Sequence, residues 1–269
     1  MPFIEVVHTS RTPGRVLNQG GPNSGKTHAF LTWPRHLKEG DDYAAWAVCL
    51  PGEKGYDTLP TDLPDLHVRR WESSPAEKTS SKAVLDAVER LVLRDILGTG
   101  KVTSLLMDGA HKLYEHALNY VTGGAFFSGE EFEPRLYSRA HEIFKYFLDR
   151  VNSTPTPYIV WTVWDGREMD KPELKSASPT HIFPDFPGKM AKRVMGEFSI
   201  VMYSTLQWEN GAVKSATWQL KPAGAVGGAN VKAPEEVVAR LPVTIPQDFT
   251  ALEKALNGAW NPPPQGAKK

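Results

Sequence analysis

Short apolar runs, each closed by glycine, proline or a charged residue, alternate along the chain with longer stretches whose apolar residues return every three or four positions. The runs cover residues 44–50 (Ala-Ala-Trp-Ala-Val-Cys-Leu, closed by Pro51-Gly52), 66–71, 102–107, 158–164, 198–206 and 216–220. Each has the length of a strand, and the uninterrupted ones suit strands buried on both faces. Residues 15–19, with Val16 and Leu17 as the apolar pair, predict a further strand that runs into Gly20-Gly21. Helical spacing appears from Lys26 to about Leu37, over residues 81–97 (Val84, Leu85, Val88, Leu91, Val92, Ile96, with Gly98 as the stop), and over residues 134–151 (Leu136, Ala140, Ile143, Phe144, Phe147, Val151 on one face). Strands alternating with helices predict right-handed crossovers and a parallel sheet, with more strands and loops toward the C-terminus. A stretch from Gly258, with Pro262-Pro263-Pro264 and a terminal Lys-Lys, reads as a disordered tail, leaving residues 1–257 as one domain.

Composition narrows the function classes. Lys plus Arg equals Asp plus Glu at 31 each, so the whole molecule has no basic field, and any nucleic-acid contact must come from local patches. The single cysteine, Cys49, excludes an intramolecular disulfide and any multi-cysteine zinc site, and its apolar strand predicts a buried, inert thiol. No run approaches the ~20 apolar residues of a membrane helix. Met1-Pro2-Phe3-Ile4-Glu5 lacks the charged start and apolar run of a signal peptide. The expectation is a soluble, cytoplasmic protein with no membrane partner. His111, His116 and His141 stand at no recognised metal spacing and are expected to be exposed or hydrogen-bonded helix residues.

Residues 20–27, Gly-Gly-Pro-Asn-Ser-Gly-Lys-Thr, meet the pattern G-x-x-x-x-G-K-[ST] between a predicted strand and a predicted helix. Such a loop turns successive backbone N–H groups inward as an anion nest, and a helix that follows adds its positive end. Gly20, Gly21, Pro22, Asn23, Ser24, Gly25, Lys26, Thr27 and the adjoining His28 are therefore the expected nucleotide-contacting residues, with ATP as the ligand. Lys26 would reach the β- and γ-phosphates and the Thr27 hydroxyl would ligate Mg²⁺. Packing or solvation explains His28 better than catalysis does. A second metal-holding group is expected at the end of a buried strand, and Ser104-Leu105-Leu106-Met107-Asp108 supplies it as Asp108. Gly109 follows Asp108, so no carboxylate directly after it can activate water. Glu53, just past the strand at 44–50, is the candidate base, with Glu115 a weaker competitor.

The order strand, phosphate cradle, helix, strand, Glu53, then a strand ending in Asp108 resembles the RecA-like ATPase core, and more closely the RecA-like ATPases of bacteriophages, which include single-strand annealing proteins. Leu31-Thr32-Trp33-Pro34, Phe186-Pro187-Gly188-Lys189-Met190-Ala191-Lys192, Gly196-Glu197-Phe198 and Trp218-Gln219-Leu220-Lys221-Pro222 carry that likeness over about residues 14–256. The resemblance implies an α/β P-loop NTPase with a mostly parallel twisted sheet flanked by helices, with extra strands toward the C-terminus. It implies slow, Mg²⁺-dependent ATP hydrolysis coupled to single-stranded DNA in phage recombination or replication, in the host cytoplasm, by a homo-oligomeric ring or filament. Two DNA-facing loops would follow. The first, residues 121–134, offers Phe126, Phe127 and Phe132 for stacking among the acidic Glu130, Glu131 and Glu133; the second, residues 165–197, carries Lys171, Lys175, Lys189, Lys192 and Arg193. Lys221 is the candidate to reach a neighbour's nucleotide. Where RecA proteins place a glutamine after the strand at 158–163, this chain has Trp164-Asp165. Other readings of the same cradle are a nucleotide-binding assembly protein with little turnover, a motor or loader ATPase, and a small-molecule kinase, the last without a lid of clustered arginines.

Overall fold

The computed structural model describes residues 14–71, 80–169, 179–186 and 190–261. Its main sheet is built from β1 (Arg15–Gln19), β2 (Ala44–Cys49), β3 (Leu66–Arg70), β4 (Val102–Asp108), β5 (Tyr158–Val163), β8 (Ile200–Glu209), β9 (Ala212–Gln219), β10 (Asn230–Val231) and β11 (Thr244–Pro246). A separate antiparallel hairpin, β6 (Asp165–Met169) and β7 (Pro179–Pro184), leaves directly from the end of β5. The strand order is β11-β9-β8-β1-β5-β4-β2-β3, with β10 also on β8. From β3 across to β8 every pairing is parallel, while β9, β10 and β11 add antiparallel strands beyond it. This is the expected α/β arrangement, mostly parallel with extra strands toward the C-terminus.

The uninterrupted apolar runs have the predicted consequence. All seven residues of β4 are buried, because helices cover both faces of the sheet. On one face lie α1 (Ser81–Glu89), α2 (Ala110–Val121) and α4 (Leu136–Asn152), whose Val84, Val88, Leu113, Ala117, Phe144 and Leu148 meet Leu105, Met107, Ile159 and Trp161. The short α5 (Met190–Met195) joins them through Met190 and Val194. On the other face, α6 (Glu235–Arg240) and α7 (Phe249–Trp260) bring Val237, Phe249, Leu252 and Leu256 against Val16, Leu106, Val160 and Met202. Burying one such aliphatic or aromatic side chain is worth about 1.5–3 kcal/mol, so the two layers anchor the strands firmly. Among the described residues no helix is long and apolar enough to cross a membrane.

Three local expectations need correction. The helix expected over residues 26–37 is only a 3-10 turn, His28–Thr32. Pro34 forces Trp33 into extended backbone (φ −75°, ψ 150°), and the Trp33 ring is drawn under Tyr158, Trp218 and Phe249 at 4.9–6.5 Å between centroids. Aromatic burial outweighs helix continuation here, so no long helix dipole stands behind the cradle. The helix at 81–97 is α-helical to Glu89, widens to a π-type turn over Arg90–Ile96, and ends at Gly100 (φ +69°) rather than Gly98. The C-terminal helix α7 continues through Gly258 to Trp260, because Leu256 and Ala259 are buried against the sheet; the rest of the expected tail, 262–269, lies outside the described residues.

Candidate active site

The carboxyl ends of β1, β5, β4 and β2 lie side by side, the position where open parallel sheets gather their ligands. Each end delivers one part of the site: β1 the cradle, β5 Thr162 and Trp164, β4 Asp108, and β2 the turn that carries Glu53. A cavity of about 340 Å³ opens between the cradle and the 52–58 segment, lined by Ser24, Lys26, Thr27, Glu53, Asp108 and Trp164 among others. That size suits a small-molecule ligand.

In the cradle, Asn23 (φ +57°) and Gly25 (φ +81°) hold left-handed backbone, which turns the loop around its own centre. Gln247, from the segment before α7, braces it from outside by donating to the Ser24 carbonyl at 3.0 Å. The Lys26 ammonium is buried at the heart of the loop. It donates to the carbonyls of Gly20 (2.7 Å) and Gly21 (2.8 Å) and to Ser24 Oγ (3.3 Å). Burial brings its pKa down to about 8, against the pull of the Asp108, Glu53 and Asp165 carboxylates. A desolvated cation held only by neutral oxygens is ready to exchange them for an anion.

Thr27 and Asp108 lie in direct contact. Thr27 Oγ1 donates to Asp108 Oδ2 at 2.9 Å, and Thr162 Oγ1 donates to the other carboxylate oxygen, Oδ1. Thr162 also accepts the Gly109 N–H at 3.0 Å, so one hydroxyl fixes both the carboxylate and the backbone that follows it. Burial raises the Asp108 pKa, opposed by those hydroxyls and by Lys26. The space over this pair is kept by Gly55: a Cβ there would stand 2.3 Å from both Thr27 Oγ1 and Asp108 Oδ2. A hydroxyl and a carboxylate converging beside a phosphate cradle form the donor set that Mg²⁺ takes with substrate phosphates and water. Among the described residues there is no cluster of three or more His, Cys, Asp or Glu suited to a metal, and the shared-phosphate arrangement needs none.

Glu53 occupies the place left open by Gly109. A Cβ at Gly109 would sit 2.3 Å from Glu53 Cγ, and its φ of +95° already disfavours any other residue. The glycine after Asp108 therefore admits a carboxylate from β2 in place of one from its own strand. Burial, reinforced by Asp108, lifts the Glu53 pKa to about 7. Its Oε1 lies 3.3 Å from His111 Nε2 without the alignment of a hydrogen bond, and among the described residues neither that oxygen nor either His111 nitrogen has a hydrogen-bond partner. Burial drops His111 to about 3, so the imidazole is neutral and the contact is not an ion pair. Trp164 closes the wall, with its ring 4.9 Å from His111 and the Lys112 ammonium 5.2 Å from its centre.

The remaining predicted residues divide clearly. His28 is exposed and places Nδ1 3.2 Å from the Thr58 carbonyl, at the rim of the cavity. Glu115 pairs with Lys112 at 3.0 Å, one turn along α2, and does not line the cavity. Cys49 is buried with its thiol pKa pushed up, as an inert strand residue. His111 departs from the expectation of an exposed or hydrogen-bonded helix residue, being buried with neither nitrogen partnered. Phe126 and Phe132, partly buried, pack against the core beside α3 (Ala125–Ser128), and Phe127 is half exposed. Lys192 and Arg193 are exposed on α5, while Lys171, Lys175 and Lys189 lie outside the described residues. Lys221 is bonded to the Ala239 carbonyl at 3.3 Å. His111, Thr162 and Gly55 were not anticipated. The one signal for Thr162 was a hydroxyl inside an otherwise apolar strand, Tyr-Ile-Val-Trp-Thr-Val.

No protein-family model matches the chain, and no curated protein matches it. Solved structures similar to it include an ATPase from the type III secretion system of pathogenic bacteria, at 15% identity and a TM-score of 0.41 over 72% of this chain and 52% of that one. The chain thus spans about half the length of that ATPase. Another is the flagellar accessory protein FlaH from Methanocaldococcus jannaschii, at 10% identity and a TM-score of 0.39 over 77% of this chain and 78% of that one. Likenesses this remote leave the chemistry to be read from the site itself.

Proposed function

We propose that the chain binds ATP with Mg²⁺ and hydrolyses it to ADP and inorganic phosphate. The observation that carries this reading is the convergence of Thr27 and Asp108, 2.9 Å apart, at the mouth of the cradle with Glu53 across the same cavity. Thr27 and Asp108 would hold Mg²⁺, which when bound neutralises phosphate charge and polarises the phosphoryl group. Lys26 exchanges the Gly20 and Gly21 carbonyls for phosphate oxygens and stabilises the charge that builds on them during transfer. Ionised Glu53 orients a water and takes its proton as the water oxygen bonds to the γ-phosphorus and the bond to the bridging oxygen breaks. A base with a pKa of about 7 is matched to proton transfer near neutral pH.

The partner side of the proposal is a single-stranded DNA whose binding responds to the nucleotide, with the chain working as a homo-oligomer in phage recombination or replication. The exposed Lys192 and Arg193 on α5 support a polyanion contact, and the resemblance noted above supplies the rest. The test is phosphate release with and without single-stranded DNA, alongside salt-dependent DNA binding with and without ATP. Stimulation by DNA, and tighter binding with ATP, support the coupling. A flat response at low salt, with turnover intact, removes the DNA role and leaves the ATPase. ATP bound tightly without phosphate release selects a nucleotide-stabilised assembly protein instead.

A further inference from the structure

Arg167 stands outside the elements so far given a role, yet it approaches the cradle closely. In β1 and β5 the register pairs Gln19 with Val163, and the Gly20 N–H donates to the Val163 carbonyl at 3.3 Å. The residues that follow each strand are therefore neighbours: the cradle on one side, Trp164 to Arg167 on the other. A Cβ built on Gly21 would stand 3.4 Å from Arg167 Nη2 and 3.4 Å from Asp165 Oδ1. Lys26 bonds the carbonyl of that same Gly21, and the Asp165 carboxylate acts on the Lys26 ammonium.

The guanidinium is held in place. Arg167 Nε donates to Asp165 Oδ2 at 3.0 Å, and the Tyr203 hydroxyl donates to the same oxygen at 3.0 Å. The Asp165 side chain is 2% exposed while that of Arg167 is 53% exposed. The carboxylate is thus a buried anchor, and the cation it anchors is half exposed beside Gly21, near the start of the cradle. Arginine suits this task, because one edge of its planar fork can stay on a carboxylate while the other meets phosphate oxygens. Gly21, the second residue of the cradle, lies directly against this guanidinium.

We propose that Arg167 is a phosphate-contacting residue that acts in cis, meeting the terminal phosphoryl group of a nucleotide bound in its own chain, with Asp165 and Tyr203 as positioning residues. This rests on the nucleotide reading above. It gives the chain a built-in means of telling a triphosphate from a diphosphate. It also places that cation in the chain itself, apart from any residue lent by a neighbour.

The experiment compares Mg²⁺-dependent binding of a non-hydrolysable ATP analogue and of ADP by wild type, Arg167→Ala and Arg167→Lys, with thermal unfolding of each variant as the folding control. The expected result for Arg167→Ala is a roughly tenfold to hundredfold loss of affinity for the ATP analogue, the range of a lost charge-assisted hydrogen bond, with ADP affinity kept within about twofold. Arg167→Lys retains part of the preference. Phosphate release by a mixture of Arg167→Ala and Lys26→Ala chains should be no greater than the sum of the two alone. Unchanged discrimination in Arg167→Ala, or equal losses for both nucleotides, overturns the inference while leaving the cradle assignment standing. Activity restored in the mixture overturns the cis placement. A wild type that binds neither nucleotide overturns this inference and the nucleotide reading together.

Discussion

Replacing Glu53 by glutamine separates two consequences of burying that carboxylate. The side chain is 9% exposed, packed between Gly109 and His111, and its pKa stands at about 7 against an ordinary 4.5. Below pH 4.5 folded and unfolded chains both hold the proton, so the site makes its full contribution to stability. As pH rises through about 7 the folded chain must ionise a buried group, and that contribution is lost. At ~1.36 kcal/mol per pH unit the gap is worth about 3 kcal/mol. Glutamine fills the same space and does not titrate. In the nucleotide-free chain Glu53→Gln is therefore expected to gain on wild type progressively between pH 4.5 and 8, reaching about 3 kcal/mol. For a chain of this size the gain corresponds to roughly 6–12 °C in Tm. The assay is thermal unfolding of both proteins across that pH range, paired with phosphate release at each pH. Wild-type turnover should rise with pH to a plateau above about 7, and the variant should lose about a hundredfold or more at every pH while still binding ATP. A Tm difference that stays flat with pH would refute the buried, proton-retaining Glu53. Turnover preserved in the variant would refute its role as the base.

The surroundings of Glu53 make further predictions. Gly109→Ala should cost about 1–2 kcal/mol from its left-handed backbone alone, since φ is +95°, and should also displace Glu53, whose Cγ lies 2.3 Å from the new Cβ position; lower Tm and lost turnover would be seen together. Thr162→Val keeps the shape of β5 but leaves the Gly109 N–H and one Asp108 oxygen without their partner, at a cost of about 1–3 kcal/mol by chemical denaturation and with a higher Mg²⁺ requirement for turnover. An unchanged stability would show that water replaces the hydroxyl.

The parts legible in the sequence were those set by local pattern. Strands β1, β2, β4 and β5 were marked by apolar runs that the structure buries, and the cradle by glycine and lysine spacing that a phosphate nest requires; of the edge strand β3 only Leu66 is buried. Glu53 was singled out by its place just past the strand at 44–50, and the structure sets that strand, β2, beside β4. The missed parts depend on which strands become neighbours. Thr162 reaches Asp108 across 54 positions, and Arg167 meets Gly21, only because β5 lies between β1 and β4. His111 sits at the start of α2, just past Asp108, a placement that local spacing records without revealing the carboxylate opposite. The helix after the cradle failed for a similar reason: its periodicity continues past Pro34, but the Trp33 ring is claimed by β5, β9 and α7.

The most direct measurement is phosphate release from ATP by the purified chain with Mg²⁺, with the metal chelated, and in Lys26→Ala. The account predicts release that needs Mg²⁺ and falls to background in the variant, with ATP affinity lost as well. Release that survives chelation, or ATP affinity unchanged in Lys26→Ala, would contradict it.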